Sequence, residues 1–196
     1  MVASHIAGGA VDDVVPAVLD SRTVLIAFEL DITEHARRLE RSVGPLRSRG
    51  LLHALWALPE GLAWPTSGLD RLDVLTLECE GVGFVLMDGD AVVRVYRPAG
   101  RVRAIGLVGG QLAEAVATAS RFPPIFRRYA VAAKAASTDP QVVAAAQTVG
   151  IGAAIAGPDG LCVLGEAEPA QVGVPGVYRW WLAEVAYRSW LQTNAH

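Results

Sequence analysis

Four arginines, Arg94, Arg97, Arg101 and Arg103, with Tyr96 among them, form the densest basic stretch of the chain. Guanidinium groups fork onto phosphate, and an aromatic ring beside them stacks on a base. Side chains two apart on a strand share a face, so Arg94 and Tyr96 point one way and Val93 and Val95 the other. Arg121, Arg127 and Arg128 form a second basic cluster. Arg37, Arg38, Arg41, Arg47 and Arg49 are offset by Glu34 and Glu40 and read as a solvated helix face. Asp73, Glu78, Glu80, Asp88 and Asp90 are the acids close enough in sequence to share a divalent cation. Of these, Glu78 and Glu80 flank Cys79 at an expected strand end, and Asp88 and Asp90 are turn residues, so solvated strand ends and a tight turn account for them. A third group is aromatic: Trp180, Trp181, Tyr187 and Trp190 sit with Leu182, Val185 and Leu191 on one helical stretch. So apolar a helix either packs within its own chain or meets a partner; because aromatics are favoured at interface centres, these four are the candidate interface.

The elements that position these residues belong to a chain of 196 residues, long enough for a substantial core. Its net charge of −3 argues against tight binding to nucleic acid, and Lys134 is its one lysine. Hydrophobic residues make up 52% and mean hydropathy is +0.34, yet no run approaches the roughly 20 apolar residues of a membrane span. The N-terminus lacks a basic segment followed by an apolar one, so no signal peptide is expected, and a cytoplasmic protein without membrane contact is. Cys79 and Cys162 lie in strand-like runs and read as small buried hydrophobes. The four histidines are scattered. No zinc spacing, bound metal or cofactor is expected. Val108-Gly109-Gly110 precedes a helix as a phosphate-binding turn does, but lacks the GxGxxG or GxxxxGK spacing, so no nucleotide site is expected.

Along the chain, residues 1–21 read as a flexible arm, with a short helix at most over Val14–Leu19. Thr23–Phe28 is a strand-length β-branched run. Asp31 followed by Glu34 signals a helix start, and Ile32, Ala36, Leu39 and Val43 form its apolar stripe. A second helix covers Leu46–Leu58. Strands are expected over 72–79, 82–87 and 91–97, the last two joined by Asp88-Gly89-Asp90. A helix over 110–120, a strand over 128–133, a helix opened by Asp139-Pro140 and a hairpin over 151–164 follow. The domain reading is therefore an arm (1–21), a core (22–165), a linker (166–176) and an aromatic C-terminal helix (177–196).

Helix, three antiparallel strands, helix and strand, over about Leu51–Ala156, resembles the core of the PD-(D/E)XK restriction-endonuclease-like superfamily. Asp73 would open the first core strand, where this family often has its first metal-binding aspartate, and Gln111 would head the following helix. The resemblance implies an α/β fold: a mixed central sheet flanked by helices, a restriction-endonuclease-like core (αβββαβ), extra strands and a C-terminal helix. It also implies that the family's acid and lysine, one residue apart, are here Arg94 and Tyr96. Arginine carries a fixed positive charge and does not ligate Mg²⁺, and a phenol near pKa 10 is a poor substitute for the amine.

The expected function is a non-catalytic protein on a nuclease-like scaffold, a DNA-associated or partner-binding subunit such as a defence or mobile-element system uses. Its contact residues would be Arg94, Tyr96, Arg97, Arg101 and Arg103. Two alternatives stand beside it: an assembly protein that oligomerises through the C-terminal helix, and a divergent Mg²⁺-dependent nuclease built on Asp73.

Overall fold

The computed structural model describes residues 13–133, 139–157, 160–170 and 176–194. The chain is mixed α/β, with a mixed central sheet and helices. It divides into two compact units, where the sequence suggested one core over 22–165. A sheet unit comprises Met1–Glu29, Arg101–Val174 and Arg188–His196, and a helical unit comprises Leu30–Gly100 and Pro175–Tyr187.

The sheet unit begins with a hairpin. Strands β1 (Asp13–Leu19) and β2 (Arg22–Leu30) pair antiparallel across Asp20 and Ser21, both at positive φ, the backbone that a tight hairpin turn needs. The helix or loose arm expected over Val14–Leu19 is thus a strand. Val15, Ala17 and Leu19 are buried alternately, and Pro16 is tolerated because β1 is an edge strand. Residues 1–12 of the expected arm lie outside the described residues.

Sheet order is β1-β2-β6-β7-β8-β9. Strand β6 (Gly100–Gly109) is central to it. A Cβ on Gly106 would meet Leu25, Glu29 pairs with Arg103, and Arg22 and Thr23 share a groove with Val108 and Gly109. These three contacts run β2 and β6 in opposite directions. Helix α4 (Leu112–Ala119) then connects β6 to the parallel β7 (Arg127–Ala132), and α5 (Pro140–Thr148) connects β7 to the parallel β8 (Ile151–Gly157). Strand β9 (Gly160–Gly165) closes the sheet antiparallel to β8. The parallel strands are apolar without alternation, as strands buried on both faces are: Tyr129, Ala130, Val131 and Ala132 have no exposure.

The helical unit holds α1 (Ile32–Glu40), α2 (Arg49–Ala57), α3 (Arg71–Glu80) and a small sheet, β3 (Ala63–Pro65), β5 (Ala91–Arg94) and β4 (Val85–Asp88). Side-chain oxygens of Asp31, Ser48 and Asp70 cap the three helices. The strand expected over 72–79 is therefore a helix: Asp70 caps it, Leu77 enters the core, and Leu72, Leu75 and Cys79 form an outward stripe at helical spacing. The hairpin at Asp88–Ala91 is where the turn residues put it, but in the small sheet, apart from β6–β8. Cys79 and Cys162 are both exposed rather than buried. The last helix, α6 (Gly176–Asn194), spans the division between the units.

Helix α1 is inside out relative to its sequence pattern. Glu34 and Arg38 are buried, while Ile32 and Leu39 of the expected apolar stripe are 75% and 62% exposed. A buried charge is tolerated only when it is paired and hydrogen-bonded throughout, and the pairing is complete here.

Candidate functional site

Arg38 is fully buried, and its fork is spent on three partners. Nε donates to Glu34 Oε1 (2.7 Å), Nη1 and Nη2 donate to the two oxygens of Glu184 (2.9 and 2.7 Å), and Nη2 also donates to the Arg97 carbonyl. Glu184 in turn accepts from the Leu46 backbone N–H (2.8 Å) and the Tyr96 hydroxyl (3.0 Å). Arg37 holds both oxygens of Glu34, so two acids and two arginines balance. Phe84, Tyr96 and Tyr187 present their rings to the Arg38 guanidinium. Burial acts to lower the pKa of Arg38, but the bonds and charge of Glu184 and Glu34 outweigh it and raise it.

Two of the five residues expected to meet a partner, Arg94 and Tyr96, are absorbed by this core. Tyr96 has no exposure and faces Glu184, Phe84 and Trp180. Arg94 is 9% exposed, donates to the Leu55 carbonyl and lies over the Trp180 ring. Burial lowers its pKa, against the charges of Glu60 and Tyr96. Arg94 and Tyr96 do share a face, but it is the inward one, and neither is offered to phosphate. Arg97 is exposed and paired with Glu60, and Arg103 is paired with Glu29. Arg101 is exposed. Arg94 and Arg97 belong to the helical unit and Arg101 and Arg103 to the sheet unit, so the sequence cluster is not one patch of one unit. Arg128 is also a structural residue, donating to the carbonyls of Phe122 and Val149.

Asp73 lies in the first turn of α3, not on a core strand. Among the described residues no three His, Cys, Asp or Glu side chains gather as a metal site. The C-terminal aromatics, expected as an interface, have partners in their own chain. Trp180 meets Trp56 and Tyr96, Trp181 lies under Arg49, the Tyr187 hydroxyl is hydrogen-bonded to His35 Nδ1, and Trp190 Nε1 donates to Asp13.

An arrangement with room for a ligand lies in the sheet unit. A groove of about 590 Å³ opens at the ends of β6 and β7, lined by Arg22, Thr23, Val108, Gly109, Gly110, Glu114, Ala117, Thr118, Arg121 and Ala133. Ligands in open α/β sheets bind outside the carboxyl ends of parallel strands. Gly109 permits the tight strand-to-helix junction, since a Cβ there would stand 2.9 Å from the Ala115 backbone nitrogen. Arg22 Nη1 donates to Thr118 Oγ1 (2.9 Å), and the Glu114 carboxylate accepts from the Gly110 N–H (3.1 Å).

The chain matches no family model, and no curated protein and no solved structure matches it. Function therefore has to be read from the chain itself. No helix among the described residues is long and apolar enough to cross a membrane. The sequence did carry one pointer to the groove, Val108-Gly109-Gly110 ahead of a helix. Arg22 enters it from a distant hairpin, which no local spacing reveals.

Two buried phenols give a pH dependence that follows from geometry. Burial, aided by Glu184, raises Tyr96 well above the ordinary tyrosine value. Burial, aided by the bond to Glu166, raises Tyr129 to about 12. In the unfolded chain both titrate near pH 10, so the folded state holds these protons more tightly. Their contribution is complete below about pH 10 and is lost as pH rises towards about 12. The urea midpoint is expected to fall across that window, and less steeply in Tyr129→Phe; a flat midpoint up to pH 12 would contradict it.

Proposed function

We propose that the protein is a non-catalytic binding subunit on a nuclease-like scaffold, and that it meets a protein partner through the helical unit. The likeness to the PD-(D/E)XK superfamily now rests on strands other than those the sequence suggested. Strands β1, β2 and β6 are successive neighbours, β6 is followed by α4 and the parallel β7, and residues 31–99 are an insertion before the third strand. On that assignment the family's acid-x-lysine pair falls on β6, which reads Ala104-Ile105-Gly106-Leu107-Val108. No pair of positions there offers a carboxylate or an amine, which supports a scaffold without the metal chemistry.

The observation that carries the partner reading is the reversed polarity of α1. Glu34, Arg37 and Arg38 are paired inside the unit, and Ile32, Ala36 and Leu39 face outward. Leu72 and Leu75 of α3, Leu62 and Val82 are exposed in the same unit. Burying one Ile or Leu side chain is worth about 1.5–3 kcal/mol, so a partner that covers the α1 stripe gains substantially. In Ile32→Glu/Leu39→Glu the binding of an apolar-surface dye and the increase of solution mass with concentration are both expected to fall, with folding unchanged. Equal dye binding and equal mass in the two chains would refute the reading. Incubated with duplex and single-stranded DNA and Mg²⁺ or Mn²⁺, the chain is expected to cleave nothing. Cleavage abolished by Asp73→Ala would restore the nuclease alternative.

A further inference from the structure

The geometry points to a binding site for a phosphate monoester in the groove beside α4, with the phosphate held between Arg22 and Arg121. This site lies wholly within the sheet unit and does not depend on the partner reading, which concerns the helical unit.

The groove has the volume of a small-molecule site, typically about 300–1,000 Å³. One wall is a single face of the α4 segment, where Glu114, Ala117, Thr118 and Arg121 follow at intervals of three and four. The other wall is the start of β2, Arg22 and Thr23. Five arginines, Arg37, Arg38, Arg94, Arg97 and Arg103, stand in ion pairs. Among the described residues Arg22 and Arg121 do not, although Glu114 lines the same groove. Glu114 is turned to the Gly110 N–H instead, where the positive end of α4 favours an anion. Only one donor of the Arg22 fork is used, by Thr118.

Two guanidinium groups with free donors, beside the hydroxyls of Thr23 and Thr118, match a dianion that accepts several hydrogen bonds. A phosphate monoester carries nearly two charges near neutral pH, while a diester in a nucleic-acid backbone carries one. The overall charge of −3 also disfavours a polyanion, whose binding depends on many phosphate contacts. Glu114, acceptor-only when ionised, faces the part of the ligand beyond the phosphate and favours hydroxyl or amino donors there. A nucleoside or sugar monophosphate has this chemistry.

Calorimetric titration of the full chain with inorganic phosphate, with AMP and with an unphosphorylated DNA duplex tests this. AMP and phosphate are expected to bind saturably, AMP more tightly, with the duplex weaker than both. Arg22→Gln and Arg121→Gln, each altering an exposed side chain, should weaken phosphate binding about tenfold or more, as loss of a charge-assisted hydrogen bond does. Glu114→Gln should strengthen binding of inorganic phosphate by removing a like charge. A merely structural arginine pair would leave both titrations unchanged, and that result overturns the site. Absence of saturable binding at millimolar phosphate and AMP overturns it too, and a duplex that binds more tightly than AMP replaces it with a nucleic-acid face.

Discussion

Arg38→Ala is expected to cost about 3–5 kcal/mol, the usual penalty for leaving a buried charge without its partner. The substitution strands Glu184, which has no exposure, with only the Leu46 N–H and the Tyr96 hydroxyl to hold its charge. It also strips one donor from Glu34 and leaves the Arg97 carbonyl without Nη2. A natural domain holds only about 5–15 kcal/mol in all, so the helical unit is brought near its limit. Arg38→Lys should rescue little, because an ammonium cannot reproduce a planar fork spanning Glu34, Glu184 and a carbonyl. Arg38→Met with Glu184→Leu should be far milder than Arg38→Ala, since removing a whole buried pair is often neutral. Urea unfolding followed by tryptophan fluorescence reads this out, Trp180 lying beside Arg94 and Tyr96. A loss below about 1 kcal/mol for Arg38→Ala, the scale of a surface pair, would mean that the network is not a structural clamp.

The same network marks where sequence reasoning stops. Local signals were legible: Asp31 and Asp139 cap the helices they precede, and Gly89 turns the β4–β5 hairpin. Periodicity also grouped Ile32, Ala36 and Leu39 correctly on one face of α1. It did not say which face turns inward, because that was decided by Glu184, far away on α6. A paired buried charge and a solvated one look alike in a sequence. Over 72–79 the alternation Leu72-Asp73-Val74 imitated a strand, yet the Asp70 cap and the burial of Leu77 follow the helical period. Strand β6 was passed over since Arg101 and Arg103, exposed at its start, look like loop, and its apolar part is short. A strand of the central sheet was therefore sought among residues of the helical unit, and Arg94 and Tyr96 were given a surface they do not occupy. The glycines of the groove were noted but set aside for lack of a phosphate-loop spacing, and Arg22 and Arg121 come to line it together only by folding.

Gly152→Ala is expected to destabilise the sheet unit by roughly 2–4 kcal/mol, an overpacking cost joined to a lost hydrogen bond. Gly152 on β8 lies directly across from Tyr129 on β7, and the tyrosine ring covers the space a side chain would use. A Cβ there would stand 2.4 Å from two ring carbons of Tyr129 and 2.8 Å from the Ala167 backbone nitrogen. Neither neighbour yields freely. The Tyr129 hydroxyl donates to Glu166 (2.7 Å), so moving the ring breaks that part-buried bond, and moving β8 disturbs two strand pairings at once. If the ring is the obstacle, the substitution should be much less harmful when Tyr129 is already Ala, giving a coupling well above the roughly 0.5 kcal/mol of independent sites. If the backbone of Ala167 is the obstacle, the two losses add. The strand that moves neighbours β7, whose far end leads to Ala133 in the groove. A shift confined to β8 leaves phosphate affinity unchanged, and one transmitted through β7 lowers it, so the titration distinguishes the two in any variant that still folds.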